Sequence, residues 1–300
     1  MRSRASGVLI KPVEQTGSAR GRGVWARLRR HPIGLIALGV LVFIYLSVFL
    51  GPIVYSTSPD YASPGDVIAP PSSHAWLGTD ELGRDELARL LHGGRVTLTV
   101  SLVAILVAMT LGSSIGALAG YFRGWVETLL MRLVDTFMAI PTFFLVLTEL
   151  TVFGNSPPIV VLVVGLSFWS QVARVVFAEF VKYRNLEFVD SARALGASSG
   201  RIIVRHIFPQ VLPSAITLTT LGIGWSILTE TGLSYLGLGI QPPTASWGNM
   251  LQNSQSYMWT YPVLAVYPGV MIAITVLSFN LLGNALRDIL DPRNQERRKT

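Results

Sequence analysis

The side chains able to do covalent, metal or phosphate chemistry are present in this chain, but not in workable arrangements. The four histidines, His31, His74, His92 and His206, are scattered, with no H-E-x-x-H run or other metal-ligand spacing, so no metal site is expected. There is no cysteine, which removes disulfide frameworks and thiolate sites. The three lysines, Lys11, Lys182 and Lys299, never follow a glycine, so no G-x-x-x-x-G-K-[ST] loop can cradle the phosphates of a nucleotide. No G-x-S-x-G elbow occurs either. An enzyme site within the chain is therefore not expected. What stands out instead is FVDSARALGASSGRIIVRHIFPQVLP (Phe188 to Pro213), a charged, small-residue-rich stretch deep inside an otherwise apolar sequence.

The elements around that stretch are set by hydropathy. Half of the 300 residues are hydrophobic and 14% are charged, with a mean hydropathy of +0.50, too oily for an ordinary soluble domain. A helix needs about 20 mostly apolar residues to cross a hydrocarbon core of about 30 Å. Six stretches qualify: Ile33 to Leu50, Val96 to Phe122, Leu129 to Phe153, Ile159 to Ala178, Val211 to Thr229 and Pro262 to Leu286. The third is the weakest, because it contains Asp135 and Glu149; both are expected near its ends, where an interface hydrates them. Asp135 lies three residues after Arg132, a spacing that predicts an interfacial pair, and Arg174 is expected to snorkel to the membrane surface. The first stretch follows a long basic preamble and has no A-x-A-like site after it, so it reads as an uncleaved anchor, with residues Met1 to Gly23 disordered before it.

Basic residues give the orientation. With six spans both ends of the chain share a side, and all but Arg84, Arg89 and Arg95 of the 24 basic residues fall on that side. By the positive-inside rule both termini are cytoplasmic, and so is the stretch from Phe188. The predicted organisation is a basic cytoplasmic tail over 1–31, a first span over 32–54, and an extracytoplasmic segment with a short surface helix over 55–95. A five-helix core over 96–286 follows, containing a cytoplasmic loop (182–208) and an uncharged outer loop (233–261), and a cytoplasmic tail closes the chain over 287–300.

Within the loop, Glu187 and Asp190 precede Arg193, an order that complements a helix dipole, and Phe188, Ala192 and Leu195 recur at i, i+4, i+7 as one apolar stripe. Gly196 suits a left-handed C-cap; Ser198 or Ser199 can open a second short helix carrying Arg201 and Arg205 and running to Pro209. Such an amphipathic hairpin fits a groove on another protein, or lies on lipid headgroups. It also resembles a helix-turn-helix DNA reader, but that motif needs a third helix for a core, and here both flanks enter membrane.

DSARALG, followed by HIFP closing at Pro209, resembles the E-A-A, three residues, Gly, Ile/Leu-Pro loop of permease subunits in ATP-binding-cassette importers. HAWLGTDELGRDELARLL (His74 to Leu91), GYFRG (Gly120 to Gly124), LSYLGLGIQPPTASWGNML (Leu233 to Leu251) and FNLLGNALRDILDPR (Phe279 to Arg293) are similar to the C-type permease subunit of the dipeptide, oligopeptide and nickel importers. Departures are Asp190 for Glu, Ser191 for Ala, Phe208 for Leu, and Asn284 where Asp is more usual. The resemblance implies an all-α, six-span, type I importer permease in the inner membrane. The loop would then be a coupling helix seated in an ATPase subunit, with Asp190, Ala192 and Gly196 as contact and hinge positions, Glu187 and Arg193 as rim charges, and Ser191, Ala197 and Pro209 completing the motif. It implies as partners a homologous second permease subunit, two ATPase subunits that bind the ATP and magnesium, and an extracytoplasmic binding protein; the chain itself needs no cofactor. Peptides are the expected cargo, with nickel or another small solute as alternatives, and a proton-coupled secondary transporter as a reading from another class. Gly112, Gly116 and Gly120, at i, i+4, i+8, allow close approach of another helix. Glu230, before LSYLG, is expected to be structural, and the uncharged outer loop to pack over the mouth of the pathway more than to dock a partner.

Overall fold

A computed structural model describes residues 25–290. The tail expected to be disordered (Met1 to Gly23) and residues 291–300 of the C-terminal tail lie outside the described residues. The rest is all-helical: α1 (Pro32–Val54), α2 (Glu86–Tyr121), α3 (Trp125–Ala139), α4 (Thr142–Phe153), α5 (Pro157–Tyr183), α6 (Glu187–Ala194), α7 (Ser199–Arg201), α8 (Phe208–Tyr235), α9 (Trp247–Ser254) and α10 (Val263–Leu290). Among the described residues five helices are long and apolar enough to span a membrane, and a sixth span results if α3 and α4 are counted together.

That pair differs from the straight helix expected over Leu129 to Phe153. α3 and α4 meet at a bend of 89°. Pro141 has no N–H to donate into the helix and drives the residue before it out of the helical region; Ile140 is extended (φ −85°, ψ 125°). The second short helix of the 188–213 stretch is also absent as a separate element. From Ser199 the chain runs as one 37-residue helix to Tyr235, through a π-helical turn at Ile202–Ile207. Pro209 explains that turn, because it cannot donate to the carbonyl of Arg205; the wider winding lets the Phe208 N–H reach Ile203 O instead.

α2 and α5 form the centre and run parallel. Their glycines permit it: a Cβ on Gly112 would lie 2.5 Å from Trp169 O, one on Gly116 2.5 Å from Ala173 O, and one on Gly120 2.4 Å from the Phe180 Cβ. Gly165 returns the contact, with Ala104 O at 2.8 Å. The partner of the glycine stripe is thus a helix of the same chain. α8 packs across this pair, where Gly222 receives the Ile105 side chain. α10 lies antiparallel to α8 through Gly283 and Leu221, and α1 is outermost, packed on α10 through Gly34 and Ala285.

Candidate coupling loop and distal cap

The loop at residues 182–208 is rigidly based. Arg184, buried at the end of α5, donates to Gly120 O at 2.7 Å and pairs with Glu127 of α3 at 3.3 Å, so one guanidinium holds the ends of three helices. Beside it Arg123 donates to Asn185. α6 follows at once, with Glu187 and Asp190 in its first turn and Arg193 in its last. It ends in a Schellman motif: Gly196 N–H donates to Arg193 O at 2.9 Å and Ala197 N–H to Ala192 O at 3.0 Å. Gly196 has φ +78°, and a Cβ there would meet nothing within 4 Å. The left-handed cap expected from sequence therefore stands in open space. Ser198 opens the next helix, though its side chain makes no capping bond.

The inward face of α6 is not the stripe expected from sequence. Val189 and Ala192 are buried against the chain's own core, whereas Phe188 is 38% and Leu195 88% exposed. In an eight-residue helix two stripes compete, and residues at i, i+3 won because Val189 and Ala192 join the buried core that also holds Tyr121, Ile202 and Ile207. Ala192 thus seats the helix and is turned away from any partner, while Phe188 and Leu195 are left outside. Glu187, Asp190, Ser191 and Arg193 are exposed; Ala197 and Pro209 are half-buried. Asp190 pairs with Arg193 of the same helix at 3.1 Å, and Arg193 also lies over the Tyr121 ring, 5.6 Å from its centroid.

At the distal end of the bundle the 55–95 segment has no separate surface helix. Residues 86–95 are the first turns of α2, capped by Asp85, which accepts from Ala88 N at 2.8 Å and from the Tyr55 hydroxyl at 2.5 Å. Leu82 is exposed. The charges of His74 to Leu91 are folded inward: Asp80 takes Arg84 Nε at 2.6 Å and Arg89 Nε at 3.3 Å, and both arginines are buried. Across from them the 233–261 loop folds into α9. Ser246 and Asn249 make a reciprocal capping box, and Asn249 also donates to Ile240 O and Thr244 O. Trp247 is fully buried against α2, its indole N–H on Leu90 O at 2.9 Å and its backbone N–H on Thr97 Oγ1 at 3.2 Å. Glu230 is fully buried under this cap and accepts from Ser234 at 2.8 Å. The loop thus packs on α2 and encloses Glu230. Trp247 and Asn249 themselves were missed: Ser246 is a legible N-cap residue, but an asparagine three residues on is not the Glu or Gln by which a capping box is read from sequence.

Asp135 does not pair with Arg132. It meets Arg174 across α3 and α5, and neither group is buried.

This arrangement has relatives. Residues 112–296 match the model described as binding-protein-dependent transport system inner membrane component, and residues 20–71 match that of the N-terminal TM domain of oligopeptide transport permease C. The chain belongs to this family of permeases. It is 37% identical over 273 residues to the glutathione transport system permease protein GsiD of Pectobacterium atrosepticum, covering 91% of each chain. It is 32% identical over 280 residues to the dipeptide transport system permease protein DppC of Alkalihalophilus pseudofirmus, covering 93% of this chain and 92% of the relative. It is 38% identical over 270 residues to a probable peptide ABC transporter permease protein, y4tQ, of Sinorhizobium fredii, covering 90% and 92%. A solved structure of the MetNI methionine ABC transporter in an inward-facing conformation shares the fold, with a TM-score of 0.56 at 16% identity over 68% of this chain and 96% of that one.

As a member of that family the chain is a non-catalytic, multi-pass inner-membrane permease of a binding-protein-dependent ABC transport system. Permeases of this family carry no cofactor, ATP being bound by the ATPase subunits of the transport system. Membership also removes the proton-coupled secondary transporter as a reading.

Proposed function

We propose that this permease forms half of the translocation pathway of an importer for di- or oligopeptides, beside a homologous permease subunit, two ATPase subunits and an extracytoplasmic binding protein. With α3 and α4 taken as one broken span there are six spans, both termini face the cytoplasm, and residues 182–208 protrude on that side. The observation that carries the reading is α6: a short helix clamped at its base by Arg184, seated by Val189 and Ala192, and presenting Phe188, Asp190 and Leu195 outward. Large apolar side chains beside charges, held on a fixed base, suit a groove on a partner. The glutathione, dipeptide and peptide permeases among the relatives support a peptide cargo, glutathione being itself a tripeptide.

The test is uptake and cargo-stimulated ATP hydrolysis by the complex reconstituted in vesicles, with dipeptides and glutathione offered in turn. Asp190→Ala is expected to weaken stimulation and Asp190→Glu to keep it. Wild-type stimulation in Asp190→Ala combined with Leu195→Ser would remove α6 from the coupling path.

A further inference from the structure

The Asp135–Arg174 pair lies beside the break in the third span, Asp135 being four residues before Ala139, the last residue of α3. Arg174 lies nine residues before Tyr183, the last residue of α5, and Asp135 ten residues after Trp125, the first of α3. At about 1.5 Å per residue those positions are about 14 and 15 Å along the helices from those ends, past the charged Glu127 of α3 and Glu179 and Lys182 of α5, which places the pair between the membrane surface and the middle of a hydrocarbon core about 30 Å thick. The two side chains are nevertheless 41% and 46% exposed in this subunit. Ionised groups at such depth face a protein interior or a water-filled cavity, not lipid.

The surroundings favour water. Beside the pair, the α3–α4 break opens a cleft of about 60 Å³ against α5, lined by Phe137, Met138, Leu145 and Leu166 as well as by Thr142, Ser167, Ser170 and Gln171. Arg174 Nη2 reaches the Met138 sulfur at 3.8 Å, so the pair and the cleft are continuous. Gln171 is exposed one turn from Arg174 on the same helix. The non-helical backbone at Ile140 and Pro141 is itself exposed, and irregular backbone at membrane depth is tolerated where it is buried in protein or lines a water-filled cavity.

We propose that this face, from Thr142 and Gln171 to Asp135 and Arg174, lines the aqueous path of the permease, and that the ion pair receives the two charged ends of a zwitterionic cargo. Arg174 takes the carboxylate and Asp135 the ammonium as the pair between them opens, an exchange of partners that leaves no charge unpaired at any stage. The cargo half of this proposal rests on the peptide-importer reading above; the path half does not.

The chain's lack of cysteine makes the first experiment direct. Gln171→Cys and Thr142→Cys, in assembled complex in vesicles, should react with a charged, membrane-impermeant thiol reagent, and Phe43→Cys on the outer face of α1 should not. Protection of Gln171→Cys and Thr142→Cys in every nucleotide state would mean that the partner permease or lipid covers this face, and would overturn the path. The second experiment uses uptake of a zwitterionic peptide at saturating loaded binding protein. Arg174→Gln and Asp135→Asn should each lower uptake about tenfold, as expected for a lost charge-assisted contact, while stimulated ATP hydrolysis stays within about twofold. A charge swap, Asp135→Arg with Arg174→Asp, preserves a bolt between α3 and α5 but reverses the charges that meet the cargo. Uptake restored by the swap would make the pair a bolt and overturn the contact. A wild-type complex that imports no peptide would refute the cargo reading alone, since the thiol labelling judges the path without any cargo.

Discussion

Replacing Gly196 by valine isolates the coupling geometry from the rest of the fold. Gly196 sits at φ +78° with nothing within 4 Å of where a Cβ would be, so valine there suffers backbone strain and no clash. The left-handed conformation costs an L-residue about 1–2 kcal/mol, and a β-branched residue is at the upper end. Relief requires leaving that conformation, which breaks the hydrogen bonds from Gly196 to Arg193 O and from Ala197 to Ala192 O. A change of about 1–2 kcal/mol shifts the population of the native loop by a factor of about 5–30. The membrane helices should be untouched, because Val189, Ala192 and Arg184 hold the base of α6 on the other side of the cap. The assay is cargo-stimulated ATP hydrolysis in reconstituted vesicles at equal amounts of assembled complex, with Gly196→Asn as the milder variant, since asparagine tolerates this region. Stimulation and uptake should fall by about fivefold or more in the valine variant and little in the asparagine one. Equal, undiminished coupling in both would show that the Schellman cap does not set the orientation of α6 in the complex.

Gly116→Val should prevent α2 and α5 from closing, at about 1–3 kcal/mol or with failure to assemble, because the Cβ would fall 2.5 Å from Ala173 O; Gly39→Ala, with nothing within 4 Å, is the neutral control, and thermal unfolding of the purified complex reads both. Trp247→Ala should destabilise the distal cap by about 3–5 kcal/mol, lowering the melting temperature, whereas Trp259→Ala, 94% exposed, should not. For topology, cysteines at Ser73 and Ser256, both exposed, should label from outside intact cells and Ser198→Cys from the cytoplasm alone; Ser246 is buried in its capping box and should stay unlabelled on both sides.

The spans were legible because an apolar run about 20 residues long has few alternatives, and Gly196 because a left-handed cap leaves a local chemical signature. What sequence patterning could not decide was which of several local options the tertiary contacts would favour. In α6 both Phe188/Ala192/Leu195 and Val189/Ala192 are helical stripes, and the choice depends on which of them the rest of the buried core meets. Asp135 has a basic residue at i−3, but Arg174 approaches from another helix and wins. Pro141 and Pro209 were visible, and their consequences, a break of 89° and a π-helical turn, follow from the missing N–H; hydropathy averaging over the surrounding residues hid both. The distal cap was least legible, since Trp247 and its partners Leu90 and Thr97 are about 150 residues apart in the chain and nothing local marks them as neighbours.

The placement of Arg184 explains how a displacement of α6 would be felt so far into the bundle. A force on α6 enters α5 directly, since three residues separate them. α5 cannot move without α2, because the glycine faces leave no slack: backbone carbonyls already lie where a Cβ would be. The Arg184 guanidinium adds α3 to this group through Glu127. Rigidity ends at Pro141, where the helical hydrogen bonds are interrupted and α4 turns away. The compliant joint of the subunit is therefore beside the Asp135–Arg174 pair, with stiff elements on the α6 side of it. Hinges absorb φ and ψ changes at a few non-helical residues, and Ile140 and Pro141 are placed to do so. A shift of α6 would be carried up α5 and α3 with little loss and released at that break, where the cleft would open or narrow.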